Sequence, residues 1–86
     1  MFIKTVEICN EVGLHARPAS MFVQVATKYL SKITIEKEGN TANAKSIIEI
    51  LTLGAGKRSK VIIKADGPDE SLAGNELVAL IQSLGG

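Results

Sequence analysis

Four stretches of the chain alternate apolar and polar residues, a pattern typical of strands that bury one face. They are Phe2 to Ile8, Lys32 to Lys37, Thr41 to Ala44 and Lys60 to Asp66. The side chains predicted to point inward are Val6, Ile8, Ile33, Ile35, Val61, Ile63 and Ala65. Glu38-Gly39-Asn40 would form the loop of a hairpin between the second and third strands.

A different period begins after the first strand and predicts a helix. This helix should begin at or just after His15, because Pro18 then falls in the first turn, where its missing N–H costs nothing. The residues at helical spacing on its apolar side are Ala19, Phe22, Val23, Ala26 and Leu30.

Two more helices are predicted further along. Ser46 to Glu49 has the spacing of a capping box, and Gly54 would end the short helix that follows. Gly67-Pro68-Asp69 would start the last helix, in which Gly74 costs about 1 kcal/mol relative to alanine. Its apolar stripe is Ala73, Leu77, Leu80, Ile81 and Leu84. The order βαββαβα predicts one α+β domain over residues 1–86, with helices covering one face of a sheet.

Composition narrows the function classes. The 86 residues carry ten basic and nine acidic side chains, and only 3% are aromatic. A net charge of +1 and so few rings argue against a nucleic-acid-binding module built on Lys57, Arg58, Lys60 and Lys64. With a single cysteine, Cys9, and no long apolar segment, we expect a cytoplasmic protein that does not insert into membranes. Nothing in the sequence argues for an oligomer, so we expect a monomer.

The only histidine lies in the segment Gly13 to Ser20, at the predicted helix start. The first N–H groups of a helix have no partners within it and carry about half a positive charge, which favours a phosphate group. Arg17 adds a guanidinium that can bind phosphate oxygens in bidentate fashion. Here a histidine could accept a phosphoryl group and hold it, although a lone surface histidine near a helix start is more often only a solvated residue or a weak cap.

Two other kinds of site are disfavoured by the sequence. No second histidine or cysteine lies at ligand spacing from His15, so a metal site is not expected. A catalytic pair of His15 with Ser20 would lack an acidic partner to orient the ring.

The segment Gly13 to Ala19 closely resembles the active-site signature of HPr, the histidine-containing phosphocarrier family of the bacterial phosphoenolpyruvate-dependent phosphotransferase system. Asn43 to Ile47 resembles the regulatory-serine segment of that family, and Gly67 to Glu70 its last helix start. The resemblance implies an open-faced β-sandwich with an antiparallel sheet in the order 1-4-2-3 and three helices on one side.

The same resemblance implies roles for individual residues. His15 would take phosphate on Nδ1 from phosphorylated Enzyme I and pass it to a IIA domain. Arg17 would neutralise the phosphate, and Pro18 would shape the helix start. Such a protein is a carrier without turnover of its own, and it needs no cofactor.

Partner docking would use exposed apolar residues near the site. The candidates are Met21, Ile47, Ile48 and Leu51, although Ile47 and Leu51 could instead belong to the core. Lys45 and the basic run from Lys57 to Lys60 could meet acidic partner surfaces.

Ser46 matches the position that HPr kinase/phosphorylase modifies in many members of the family. Glu49 stands where many of those members carry glycine. We expect Glu49 to complete a capping box with Ser46, and its carboxylate would then oppose a phosphate there.

The branch of the family stays open. Val12 and the segment Lys4 to Ile8 resemble a nitrogen-related, regulatory branch, whereas Lys45 to Ile47 resembles the sugar branch. From a different class, a structural adaptor that is never phosphorylated would keep its partners without His15.

Overall fold

The computed structural model of the chain describes residues 1–9, 14–56 and 58–84. Its elements follow the order βαββαβα. They are β1 (Phe2–Glu7), α1 (Ala16–Thr27), β2 (Lys32–Lys37), β3 (Asn40–Asn43), α2 (Ile47–Leu53), β4 (Lys60–Asp66) and α3 (Glu70–Ser83). The predicted starts of the three helices are confirmed, and so are the bounds of β2 and β4.

The four strands form one antiparallel sheet in the order β1-β4-β2-β3. β4 lies between β1 and β2, and one of its faces is fully buried through Val61, Ile63 and Ala65. On the adjacent strand, Ile33 and Ile35 are buried on the same side. The helices pack against this apolar face, and the open-faced β-sandwich expected from the sequence is confirmed.

The hairpin between β2 and β3 is tighter than the sequence predicted. Glu38 and Gly39 both have positive φ, 51° and 84°, as a two-residue turn of type I′ requires. Asn40 therefore pairs directly with Lys37 and belongs to the strand, which ends at Asn43. The predicted three-residue loop and the strand over Thr41 to Ala44 are wrong by one residue.

Leu30 is not part of the apolar stripe of α1. The helix ends at Thr27, and the Leu30 side chain is 83% exposed. The backbone N–H of Leu30 instead donates to the Asp69 carboxylate, 2.9 Å away at the start of α3. This long-range hydrogen bond sets the path of the chain between α1 and β2.

Gly74 is needed for packing, although glycine has a low helix propensity. A Cβ at this position would lie 2.2 Å from the ring of Phe2 on β1. The bare glycine thus lets α3 approach the first strand closely, and this contact offsets the propensity cost. The buried stripe of α3 also includes Val78, which the spacing argument left out.

Candidate functional site

His15 is the N-cap of α1. Its backbone is extended (φ −94°, ψ −166°), and its carbonyl oxygen accepts the N–H of Ala19 at 2.9 Å. The imidazole makes no capping hydrogen bond with α1, and the residue is exposed. The alternative of a weak cap is therefore wrong, and the ring is presented to solvent at the end of the helix.

The first turn of α1 concentrates donors beside this ring. The N–H groups of its first two residues, Ala16 and Arg17, have no acceptor within the helix. Pro18 follows as the third helical residue, where it has no N–H to leave unpaired and its ring is buried. The first turn contains no acidic side chain. The local field at His15 therefore favours a dianion such as a phosphoryl group.

The segment between α2 and β4 holds the residue that precedes His15. The N–H of Leu14 donates to the carbonyl oxygen of Ala55 at 2.8 Å, and both residues are buried. The N–H of Ile8 donates to the carbonyl oxygen of Ser59 at 2.9 Å, and the N–H of Arg58 donates to the carbonyl oxygen of Ile8 at 2.7 Å. This bracing was missed from the sequence, because backbone hydrogen bonds between distant segments leave no residue pattern.

His15 stands on open surface. A groove of about 460 Å³ lies between β3 and α2, and its lining contains neither His15 nor Arg17. The residues lining it are Asn40, Thr41, Ala42, Glu49, Thr52 and Leu53. Among the described residues, an exposed histidine outside this groove suits contact with a second protein surface better than capture of a small substrate.

Four exposed apolar residues lie on α1 and α2 and are called the apolar patch here. They are Met21 (41% exposed), Ile47 (38%), Ile48 (73%) and Leu51 (41%). The short helix α2 buries Ile50 instead, so the alternative that Ile47 and Leu51 belong to the core is wrong. Side chains of this size exposed on two helices that pack against each other are candidates for a docking surface.

Ser46 caps α2 as predicted, but the capping box is incomplete. Its Oγ accepts the N–H of Glu49 at 3.3 Å. The expectation that Glu49 reaches back to Ser46 is wrong: the Glu49 carboxylate accepts the N–H of Asn43 at 3.0 Å. The N–H of Ser46 donates to the Asn43 carbonyl oxygen at 3.0 Å. Asn43 therefore binds both the Ser46 N–H and the Glu49 carboxylate, the two groups that would bind each other in a complete capping box.

Lys45 is engaged within the fold. Its ammonium donates to the carbonyl oxygen of Tyr29 at 2.8 Å, just beyond the end of α1. This hydrogen bond therefore holds the connection between β3 and α2, which contains Ser46, against the end of α1. The sequence did not indicate this role of Lys45.

The comparisons with known proteins agree with this arrangement. A family model described as the phosphorylation site of the HPr component of the phosphotransferase system matches residues 3–83. The chain belongs to the HPr family.

Relatives of this HPr-family chain span nearly its whole length. It is 43% identical over 82 residues to the HPr-like protein Crh of Halalkalibacterium halodurans, covering 95% of this chain and 98% of the relative. It is 46% identical over 71 residues to the phosphocarrier protein HPr of Borreliella burgdorferi, covering 83% of each.

Solved structures show the same fold. HPr-C-His from Thermoanaerobacter tengcongensis superposes with a TM-score of 0.95 at 47% identity, covering 99% of this chain and 96% of that one. The catabolite repression protein Crh of Bacillus subtilis, described as a swapped dimer, gives a TM-score of 0.78 at 38% identity, with 98% and 97% covered.

Parts of the HPr signature fall outside the described residues. Val12 and Gly13, on which the branch assignment and the start of the motif depend, lie there, as does Lys57 of the basic run. Across residues 1–9, 14–56 and 58–84, no helix is long and apolar enough to cross a membrane. Within those ranges no three His, Cys, Asp or Glu side chains are grouped as metal ligands would be.

Proposed function

We propose that His15 accepts a phosphoryl group on Nδ1 from phosphorylated Enzyme I and passes it to a IIA component in the cytoplasm. The observation that carries the proposal is the exposed ring of His15 at the N-cap of α1, with no hydrogen bond to that helix. No cofactor is required, because the phosphoryl group is both received and released at this one nitrogen. HPr-family proteins are carriers rather than enzymes.

The transfer step follows from the chemistry of the site. The lone pair of Nδ1 forms a bond to phosphorus while the bond between phosphorus and the donor protein breaks, and transfer onward reverses these roles. Arg17 and the N–H groups of Ala16 and Arg17 offset the charge on the phosphate oxygens. Because the group must also leave, this stabilisation has to be moderate.

Docking would place the apolar patch against the partner. Its four side chains lie on the helix that begins at His15 and on the neighbouring α2. A partner that covers them buries apolar area while its phosphoryl group is held near His15.

The test is a reconstituted relay. The chain is incubated with phosphoenolpyruvate and Enzyme I, and its intact mass is measured before and after a IIA domain is added. We expect one acid-labile phosphoryl group that disappears when the IIA domain is present. If no group is added, while the same Enzyme I phosphorylates another HPr, the proposed function is wrong.

A second candidate function is regulation, in which the carrier signals to control proteins and moves no sugar. The resemblance to the Crh proteins favours it. Ser46 is then the proposed substrate of HPr kinase/phosphorylase, as a half-buried residue at the start of α2. The nitrogen-related branch is the other regulatory alternative, favoured by the segment Lys4 to Ile8.

Phosphorylation of Ser46 can be measured directly. Incubation with HPr kinase/phosphorylase and ATP should add an acid-stable phosphate that is absent from Ser46→Ala. Glu49 is the acidic residue in the first turn of α2, so its carboxylate repels a phosphate on Ser46 even though it is bound to the N–H of Asn43. Glu49→Gln should therefore be modified several-fold faster. No acid-stable phosphate in either protein would contradict this role for Ser46.

The oligomeric state stays a prediction. A monomer is expected from the sequence, while the Crh structure of Bacillus subtilis is described as a swapped dimer.

A further inference from the structure

The backbone of Arg58 has an unusual conformation for its residue type. Its φ is 68°, in the left-handed region that glycine adopts without cost and other residues adopt at the expense of stability. Glu38 also has positive φ, but it lies in a two-residue hairpin turn that requires this conformation at both positions. Arg58 therefore combines a strained backbone with a long charged side chain, and that side chain is exposed.

Hydrogen bonds hold Arg58 in this geometry. Its N–H donates to the carbonyl oxygen of Ile8 at 2.7 Å, and the next N–H, of Ser59, closes a turn onto Gly56 at 3.1 Å. The Ser59 hydroxyl oxygen accepts the N–H of Gly56 at 3.1 Å. The direction in which the chain presents Arg58 is thus fixed by the fold.

Arg58 belongs to the segment that braces His15. The backbone path from Arg58 to Ala55, across the 2.8 Å hydrogen bond to Leu14 and on to His15 is at most about 20 Å long at 3.8 Å per residue. The turn at Gly56 to Ser59 makes the direct distance shorter. A specific protein interface buries roughly 800 Å² on each partner, which corresponds to a disc about 30 Å across. Such a disc extends about 15 Å from its centre. Arg58 therefore lies near the rim of an interface centred on His15, within the range over which its charge acts when the Debye length is about 10 Å.

The charges at this end of the molecule indicate what kind of partner fits. Arg17, Arg58 and Lys60 are all exposed here. Glu7 lies opposite Lys60 in the β1–β4 ladder and offsets that charge. Two exposed guanidiniums remain, Arg17 in the first turn of α1 and Arg58 in the segment that braces Leu14, so an acidic face on the partner is the complementary surface.

We propose that Arg58 is a specificity-determining contact for an acidic face on the phosphodonor protein, acting with Arg17 but outside the reacting atoms. This inference rests on the proposed phosphocarrier function. Its main contribution is electrostatic steering, which raises the rate of productive encounter and weakens as salt increases.

The test compares two substitutions of Arg58 that differ in backbone strain. Arg58→Ala removes the guanidinium and keeps a side chain at positive φ, whereas Arg58→Gly removes both the charge and the strain. The matched control is Lys32→Gln, which removes one positive charge from an exposed residue paired with Asp66 at the opposite end of the sheet. The rate of phosphoryl transfer from phosphorylated Enzyme I is measured for all four proteins at low and high salt.

Both Arg58 variants should transfer roughly threefold to tenfold more slowly than the unaltered chain at low salt. In about 1 M salt the rates should converge, because the Debye length falls to about 3 Å. Lys32→Gln should match the unaltered chain. Arg58→Gly should also melt roughly 4–8 °C higher than Arg58→Ala, which shows that the loss of rate does not come from a loss of stability.

Several results would overturn the proposal. Equal rates for the unaltered chain and both Arg58 variants would do so, as would an equal loss in Lys32→Gln, which would indicate only net charge. Slow transfer in one Arg58 variant alone would point to loop conformation instead of the guanidinium. If the unaltered chain accepts no phosphate from an active Enzyme I, it is the phosphocarrier function itself that fails.

Discussion

His15→Ala is expected to accept no phosphate from Enzyme I while folding as stably as the unaltered chain. The chain has one histidine, and no other side chain in the first turn of α1 can replace its nitrogen as the nucleophile. The imidazole makes no capping hydrogen bond with α1, so its removal should change the free energy of unfolding by no more than about 0.5 kcal/mol. Intact mass after reaction and thermal melting measure the two quantities.

Arg17→Ala is the graded control for this experiment. It keeps the nucleophile and removes one charge-assisted contact to the phosphate, a change of about 1.5–3 kcal/mol. Transfer should therefore slow by roughly 10-fold to 150-fold without being abolished. Phosphate retained by His15→Ala would show that another residue is the acceptor, and a large drop in its melting temperature would show that the ring has a structural role.

Asp69→Asn is expected to lower the melting temperature at neutral pH by roughly 5–15 °C. The Asp69 carboxylate accepts the N–H of Leu30 at 2.9 Å, the N–H of Ser31 at 3.0 Å and the hydroxyl of Ser31. Ser31 is almost completely buried, so its polar groups have little access to water when this acceptor is weakened. An amide keeps the shape of the side chain and offers a single, uncharged acceptor oxygen.

The difference in melting temperature between the unaltered chain and Asp69→Asn should depend on pH. The hydrogen bonds from Ser31, together with that from the Leu30 N–H, hold the pKa of Asp69 below its usual value. A lowered pKa in the folded state means that this stabilisation is complete above the ordinary aspartate pKa of about 3.9. It is lost as the pH falls through the lower folded pKa. The melting temperatures of the unaltered chain and Asp69→Asn should therefore converge in acid.

Two other carboxylates do not obscure this comparison. The ammonium of Met1 lowers the pKa of Glu70, and the hydroxyl of Tyr29 with Lys28 lowers that of Glu76. Both titrate in the unaltered chain and in Asp69→Asn alike, so their effects cancel in the difference. A difference in melting temperature that stays constant from pH 7 to strongly acid solution would contradict a role for the ionised carboxylate.

The sequence predicted well those elements whose signals are local. Alternation predicted β2 and β4 because each strand buries one face along its whole length, with Ile33 and Ile63 inward. The N-terminus of α1 followed from Pro18, whose ring excludes most other helical positions. The candidate nucleophile was found in the same way, since a single histidine beside an arginine at a helix start is visible in the residue order.

Two of the errors share one physical cause, which is competition from another hydrogen-bond partner. Leu30 has the spacing of the α1 stripe, yet α1 ends at Thr27 and the N–H of Leu30 binds the Asp69 carboxylate, 39 residues away. Glu49 has capping-box spacing, yet its carboxylate binds the Asn43 N–H. A local sequence pattern indicates which hydrogen bonds are possible, and the tertiary contacts decide which of them form.

By itself the sequence determined the order of the elements, the buried faces and the candidate phosphoryl acceptor, because these depend on periodicity and on residue chemistry. Only the tertiary structure decided that Ala55 braces Leu14 beside the site, that Gly74 admits the ring of Phe2, and that the N–H of Arg58, at positive φ, binds the carbonyl oxygen of Ile8. Each of these is a contact between segments far apart in the chain. Such contacts arise when the sheet and helices pack together, so no short window of sequence contains them.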